Sequence, residues 1–477
     1  MIPRPRKIEV HGGECFLPQM LRYQCNGLSQ KDVSHYCDYL LNWLRGEYED
    51  SDYHAPPGEL GLSLNICPTG LAHREAYVID IMEDGISLRA TWMEGFRHGF
   101  QSLMQLLYKA VRHHGGMLPC QRIEDWPAYE WRGLHLDCSR HFFGVDDVLK
   151  YLEWMEALKL NRFHWHLTDD QGWRIECPSF PLLTEKGAWR TNPDSSSYGG
   201  FYSRDDIARV VSYGLEMGIE VIPEIDLPGH AMAILSAYPE LACIPKEFEP
   251  LSVWGISEDI LCAGKDATLE FLKALLSEMA ELFPGPFIHI GGDEAPKQRW
   301  KACPACQKRI KDQGLKDEEE LQSWLIKELQ KHLKTLGKTV IGWDEILDGD
   351  PGPDPIVSVW RGDGLDAARK AAQNGNPYLL CPNQFLYFDW KAAEDGPGAF
   401  GVTSLEKVMS LNPEDYRFSE SSKLLGGQAN VWTERMPDFE TVQKMLFPRV
   451  YALAEIFWSG RAHPDLKERI AQLEAYL

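Results

Sequence analysis

The stretch Phe287-Ile288-His289-Ile290-Gly291-Gly292-Asp293-Glu294 runs from apolar residues through two glycines into two adjacent carboxylates. A carboxyl group can give a proton, take one, or steady a developing positive charge, so the pair is a candidate for acid–base work. The apolar lead-in reads as a strand covered on both faces in a parallel sheet, and the glycines let the backbone turn just beyond it. On a regular strand Asp293 and Glu294 would point to opposite faces, so both serve one pocket only if the chain has already left β geometry. The competing reading is that one caps the next helix and the other faces water.

Polar clusters of the same kind close other strand-like runs. Strands are expected at 132–137, 162–167, 219–225, 287–291, 339–343, 356–360, 377–381 and 425–431, with amphipathic helices between them, clearest at 145–158, 205–217, 269–282, 318–336 and 441–454. Eight alternating units predict an α/β fold, a (β/α)8 TIM barrel over 123–477. Active sites of such barrels lie at the carboxyl ends of the strands. Arg140 follows the first strand, Asp169 the second, His230 the third, and Asp293 and Glu294 the fourth. Trp343 ends the fifth, Trp360 the sixth, Tyr387 and Asp389 follow the seventh, and Trp432 and Glu434 the eighth. Arg132 opens its strand and belongs at the opposite, stabilising end, so no catalytic role is expected. His141, His164 and His166 are balanced between structural hydrogen bonding and the site; Asp344 and Glu345 read as structural.

Residues 1–122 read as a small α+β domain with a packing role. Ser29 can cap a helix carrying Val33, Cys37, Leu40, Leu41 and Leu44, strands are expected at 62–67, 77–82 and 86–90, and a helix starts at Met93.

Composition narrows the chemistry. With 477 residues, 44% of them hydrophobic, the chain can bury a large core, and no run approaches the ~18 apolar residues of a membrane span. A formal charge of −22 argues against nucleic acid and anionic membranes as partners. The start is basic but lacks a signal peptide's apolar core, so a cytoplasmic location is expected, or export if a leader has been trimmed. The 12 cysteines are scattered; Cys67, Cys138 and Cys381 lie in apolar or strand-like runs and suit small buried thiols. Cys303-Pro304-Ala305-Cys306 alone has metal-type spacing, but with no second pair close in sequence it reads as a local turn, and no metal or organic cofactor is expected.

A rim with several carboxylates, three tryptophans, a tyrosine and an arginine suits a sugar. Aromatic faces cover the C–H face of a pyranose while Asp, Glu and Arg read its hydroxyls. No phosphate-binding glycine loop or nucleophile elbow is present. Glycosidases usually place two carboxyl groups about 5–9.5 Å apart across the scissile bond, which sequence neighbours fit awkwardly.

His289-Ile290-Gly291-Gly292-Asp293-Glu294 resembles the acid motif of family 20 glycoside hydrolases, the β-N-acetylhexosaminidases. The resemblance spans nearly the whole chain. It includes Arg132-Gly133-Leu134-His135-Leu136-Asp137-Cys138-Ser139-Arg140-His141, His164-Trp165-His166-Leu167-Thr168-Asp169-Asp170-Gln171-Gly172-Trp173-Arg174 and Glu224-Ile225-Asp226-Leu227-Pro228-Gly229-His230. It continues through Gly342-Trp343-Asp344, Tyr387-Phe388-Asp389 and Trp432-Thr433-Glu434. The resemblance implies an exo-acting, retaining, substrate-assisted enzyme that removes terminal β-linked GlcNAc or GalNAc, the acetamido oxygen being the nucleophile and an oxazolinium the intermediate. It implies Glu294 as acid/base and Asp293 as the group that orients the acetamide. Tyr387 would hydrogen-bond the acetamido carbonyl, Trp343, Trp360 and Trp432 would enclose the N-acetyl group and ring, Arg140, Asp389 and Glu434 would grip hydroxyls, and Asp169 and His230 would form a supporting dyad. The partner is then a carbohydrate with a terminal N-acetylhexosamine. The oligomeric state is left open. One departure stands out: some members carry a tryptophan shortly after the Tyr-x-Asp motif, whereas 396–404 here contains Phe400 and no tryptophan. A disaccharide-releasing lacto-N-biosidase type and a silent carbohydrate-binding barrel are the rival readings.

Overall fold

A computed structural model describes residues 1–473 and residue 476. Trp131–Asp137, Arg162–His166, Glu220–Leu227, Phe287–Gly291, Thr339–Trp343, Ile356–Val359, Tyr378–Leu380 and Leu424–Ala429 form a closed parallel barrel, joined around the ring in sequence order. These are the eight expected strands with small shifts at their ends. Barrel closure buries both faces of the strands, so every residue of Trp131–Asp137, its Arg, His and Asp included, is buried.

Helices cover the barrel, and their ends follow from capping chemistry. Ser203 opens Arg204–Met217 by accepting from the Asp206 amide while Asp206 answers at the Ser203 amide, and left-handed Gly218 closes the helix. Asp317 caps Glu318–Thr335 by accepting from the Glu319 and Glu320 amides. One expectation fails: 441–454 is two helices, Phe439–Leu446 and Arg449–Ser459. Pro448 between them has no amide to donate and disfavours helical geometry at Phe447.

The small domain is a six-stranded sheet ordered Lys7–Phe16, Met117–Asp125, Tyr77–Met82, Gly85–Ala90, Glu59–Ile66, Met20–Asn26, against which helix Met93–His113 packs. Neither outer strand was expected: Lys7–Phe16 and Met20–Asn26 alternate only briefly, at Ile8 and Val10 and at Leu21, Tyr23 and Cys25, and are largely exposed. Met117–Asp125 also runs past residue 122, so the sheet reaches Asp125. Ser29 does cap a helix, but the segment breaks into Gln30–Val33, a wider turn at Ser34–Asp38, and Tyr39–Glu49.

The domains meet at the amino ends of the barrel strands. Fully buried Arg132 holds Glu75 of the small domain at 2.6 Å, and buried Lys159 lies 3.3 Å from Asp125 and donates to the Tyr77 hydroxyl at 2.8 Å. Arg132 thus sits where the sequence placed it, away from the carboxyl-end rim. Among the described residues no helix is long and apolar enough to cross a membrane. Cys138 and Cys381 are buried free thiols and Cys67 is half-buried. The expectation for Cys303 and Cys306 needs correcting: tertiary folding packs Cys243 and Cys262 against them.

Candidate active site

The fourth strand stops at Gly291, and the backbone then leaves β geometry through Gly291 at φ 65°, Gly292 at φ 93° and Glu294 at φ 41°. A Cβ on Gly291 would collide with the Asp226 carboxylate, so only glycine permits this approach. The turn brings Asp293 and Glu294 to one cavity of about 320 Å³, at the small end of ligand pockets. His230, on the same cavity, also has positive φ, 48°. Each such non-glycine conformation costs about 1–3 kcal/mol and persists only where its surroundings impose it.

His230 links the acids to the barrel. Its Nδ1 lies 3.0 Å from Asp169 Oδ1, and its Nε2 faces Glu294 Oε2 at 3.4 Å and Asp293 Oδ2 at 3.7 Å. Burial opposes its proton, but the Asp169 and Asp226 carboxylates outweigh burial and raise the imidazole well above its ordinary 6.5. Asp293 is 8% exposed. Burial, with the Glu224 and Glu294 charges, pushes it up to about 7 against the pull of His230. The Glu294 side chain is 36% exposed and presents its carboxylate to the open cavity.

Three of the four expected aromatic side chains line this cavity. Trp360 stacks on Tyr387 at 5.8 Å and 20°, and Tyr387 lies 6.3 Å from Trp432. Trp343 is elsewhere than expected: 1% exposed, it does not line the cavity but lies against Trp432 at 5.7 Å and donates Nε1 to Glu224 at 2.8 Å. It supports the aromatic wall from within the barrel. Arg140 sits on the Trp432 face at 5.1 Å and reaches Asp169 at 2.8 Å and Glu434 at 3.8 Å. Asp169 is on the wall but spends its oxygens on Arg140, His166 and His230. Asp389 is raised well above its ordinary value by burial and then by the Glu434 charge, and Glu434 is raised by burial despite Arg140. Among the described residues, Asp293 Oδ1 and Asp389 Oδ1 are buried without a hydrogen-bond partner, leaving two acceptors for a ligand's polar hydrogens.

Residues 129–461 match the catalytic domain of glycosyl hydrolase family 20, and residues 1–126 match domain 2 of that family. The chain belongs to glycosyl hydrolase family 20. A beta-hexosaminidase of Porphyromonas gingivalis is 42% identical over 84% of this chain, which spans 53% of that protein, about half its length. One of Vibrio furnissii is 34% identical over 95% of this chain and 76% of its own. Among solved structures, a mutant Streptomyces plicatus beta-hexosaminidase in complex with product (GlcNAc) superposes with a TM-score of 0.86 at 30% identity, covering 100% of this chain and 94% of that one. The exo beta-N-acetylglucosaminidase of Vibrio harveyi in complex with N-acetylglucosamine gives 0.85 at 30%, covering 100% and 76%.

This family 20 cavity has four further lining residues to which the sequence reading gave no site role. Asp226, Asn383, Trp390 and Phe400 line it. Phe400, 86% exposed, lies near Trp390 at 6.4 Å, in the segment that lacks a tryptophan. Below the cavity Glu224 gathers His166 at 2.6 Å, His164 at 2.9 Å and His289 at 3.1 Å. Burial works against its charge, but these three histidines hold Glu224 well below its ordinary value. His164 and His166 are therefore part of the support, whereas His141 bonds the Thr433 carbonyl at 2.5 Å. Asp344 accepts from the Trp360 and Arg361 amides and Glu345 from Trp360 Nε1 at 2.8 Å, so both fix the sixth-strand loop. Triads of possible metal ligands occur here, such as His230, Asp293 and Glu294, but their atoms already face one another as ion pairs.

Proposed function

We propose that the chain is a retaining, substrate-assisted exo-β-N-acetylhexosaminidase acting on terminal β-linked GlcNAc or GalNAc. The observation that carries the reading is that adjacent Asp293 and Glu294 reach one small cavity beside Tyr387, Trp360 and Trp432. Two structural neighbours solved with GlcNAc support the substrate class.

In the first step the acetamido oxygen attacks the anomeric carbon, the bond to the leaving oxygen breaks, and Glu294 gives that oxygen its proton. Asp293 accepts from the acetamido N–H, stabilising the positive charge as the oxazolinium closes. In the second step water adds to the anomeric carbon, its proton passes to Glu294, and the ring opens to release the sugar with retained configuration. Tyr387 donates to the acetamido oxygen while Trp360 and Trp432 hold the group near the anomeric carbon, an orientation effect of several kcal/mol. Arg140, Asp389 and Glu434 read the ring hydroxyls. Asp169 fixes His230, whose cationic ring steadies both acids; Trp343 acts through Trp432. Phe400 and Trp390 meet the leaving-group side.

Three aryl glycosides test the reading: β-GlcNAc, β-GalNAc and lacto-N-bioside. Release of monosaccharide from the first two is expected, and release of disaccharide alone overturns the exo-acting assignment. Replacing the acetamide by hydroxyl should abolish turnover; comparable cleavage of the plain glucoside overturns substrate assistance. Glu294→Gln should lower kcat/KM on poor leaving groups by about 10²–10⁴-fold.

A further inference from the structure

The four cysteines Cys243, Cys262, Cys303 and Cys306 form a cluster the mechanism does not use. Their sulfur atoms all lie within 4.8 Å of one another. The separations are 3.8 Å for Cys243 to Cys306, 3.7 Å for Cys262 to Cys303 and 3.6 Å for Cys262 to Cys306. A tetrahedral zinc with Zn–S bonds of about 2.3 Å requires sulfur pairs about 3.8 Å apart, the tetrahedron's edge. A disulfide needs about 2.05 Å, and all four thiols are free. We propose that Cys243, Cys262, Cys303 and Cys306 form a tetrathiolate site for a single thiophilic divalent cation, zinc.

The local fold is shaped for such a centre. Cys303 and Pro304 open helix Pro304–Gln313, placing Cys306 in its first turn, where amide dipoles favour negative sulfur. Cys262 arrives from the other side, where its amide donates to the Leu241 carbonyl at 2.9 Å. A Cβ on Gly264 would collide with the backbone of Ala305 and Cys306, so the Cys262 turn can close on the helix only with glycine there. Trp300 Nε1 donates to the Leu261 carbonyl at 2.9 Å, holding the two loops together. Binding needs no redox partner: the cation displaces the thiol protons to solvent, and four sulfurs complete its shell.

The location gives the centre a structural task. Cys243 lies in the connection after the third strand, which carries His230, and Cys303 and Cys306 lie in the connection after the fourth, which carries Asp293 and Glu294. The cation would clamp together the two loops that carry the acid pair and its histidine. The four ligands have no place in the proposed chemistry, so the inference stands or falls independently of the proposed activity.

Elemental analysis of the full chain, purified under reducing conditions without chelator, tests the proposal. About one zinc per chain is expected, released stoichiometrically when a mercurial thiol reagent titrates the protein. Cys303→Ser/Cys306→Ser should lose the metal and melt at lower temperature, whereas Cys25→Ser should keep it. Because the double variant could fail to fold, wild-type protein produced in cobalt-supplemented medium supplies an independent readout: the thiolate-to-cobalt charge-transfer band and the intense visible bands of tetrahedral cobalt(II). Less than a tenth of a metal per chain together with no tetrahedral cobalt spectrum overturns the proposal, as does a disulfide among the four by mass spectrometry of the unreduced protein.

Discussion

Asp293 and Glu294 are neighbours in sequence with unlike surroundings. Asp293 is buried against His230 and Glu224, while Glu294 faces the open cavity. Orienting an acetamide N–H requires the Asp293 carboxylate, yet burial and neighbouring charge push its titration up to about 7. Protonation below that value removes the acceptor, so kcat/KM, which reports the free enzyme, should fall as pH drops through the neutral range. A pH profile with an aryl β-N-acetylglucosaminide should show an acid limb with its midpoint within about one unit of 7, absent from the residual activity of Asp293→Asn. A wild-type profile flat from about pH 5.5 to about 8 overturns the role given to Asp293. His230 links to the same titration from the other side: loss of its charge in His230→Asn removes the pull that lowers Asp293, moving the limb to higher pH.

The elements bring these residues together by ending where polar side chains begin. The turn Asp344–Asp348 after the fifth strand shows how: Asp344 and Glu345 hold the backbone and ring of Trp360 from the next loop. Burial, then the Asp293 charge, pushes Glu345 up to about 9. Between its ordinary 4.5 and about 9 the folded state keeps a proton that the unfolded chain has released, so this residue lowers stability as pH rises through that window. Glu345→Gln keeps an acceptor for Trp360 and removes the titration, so melting temperature should decline less steeply with pH in the variant than in the parent; equal slopes overturn this account. Strands such as Phe287–Gly291 and Thr339–Trp343 were legible because apolar runs give way to polar residues at once. Lys7–Phe16 was not, since its alternation stops after Val10 at Gly12 and Gly13 and the edge strand buries almost none of it. The acid pair, Tyr387 and the rim arginine were legible from strand ends and the family resemblance. The burial of Trp343 was not, because facing a ligand and supporting one that does are identical in sequence. The cysteine cluster was hidden for another reason: Cys243 lies 63 residues before Cys306, and only tertiary folding brings them together.

At the scale of the whole molecule, the small domain and the barrel are joined far from the chemistry, at the amino ends of the strands. Arg132 is fully buried there, donating to both oxygens of Glu75 and to the Tyr129 and Lys159 carbonyls, with its guanidinium 5.1 Å from the Trp458 ring centre. Burial alone would raise Glu75, yet Arg132 and His98 hold it well below its ordinary value, so the carboxylate stays charged inside the seam. Removing the arginine leaves that charge and two carbonyls without their partner. Breaking one side of a buried pair typically costs about 3–5 kcal/mol, whereas replacing both partners with apolar residues of similar size costs far less. Arg132→Ala should therefore unfold at markedly lower denaturant, and Arg132→Met/Glu75→Met should recover much of the loss. Because the seam lies at the opposite end of the barrel from Asp293 and Glu294, kcat/KM of the folded variants should stay near the parent value below their unfolding transitions. Equal destabilisation of the single and double variants would show that lost packing, not the stranded charge, sets the cost. A large fall in kcat/KM without loss of stability would overturn the assignment of Arg132 to the seam.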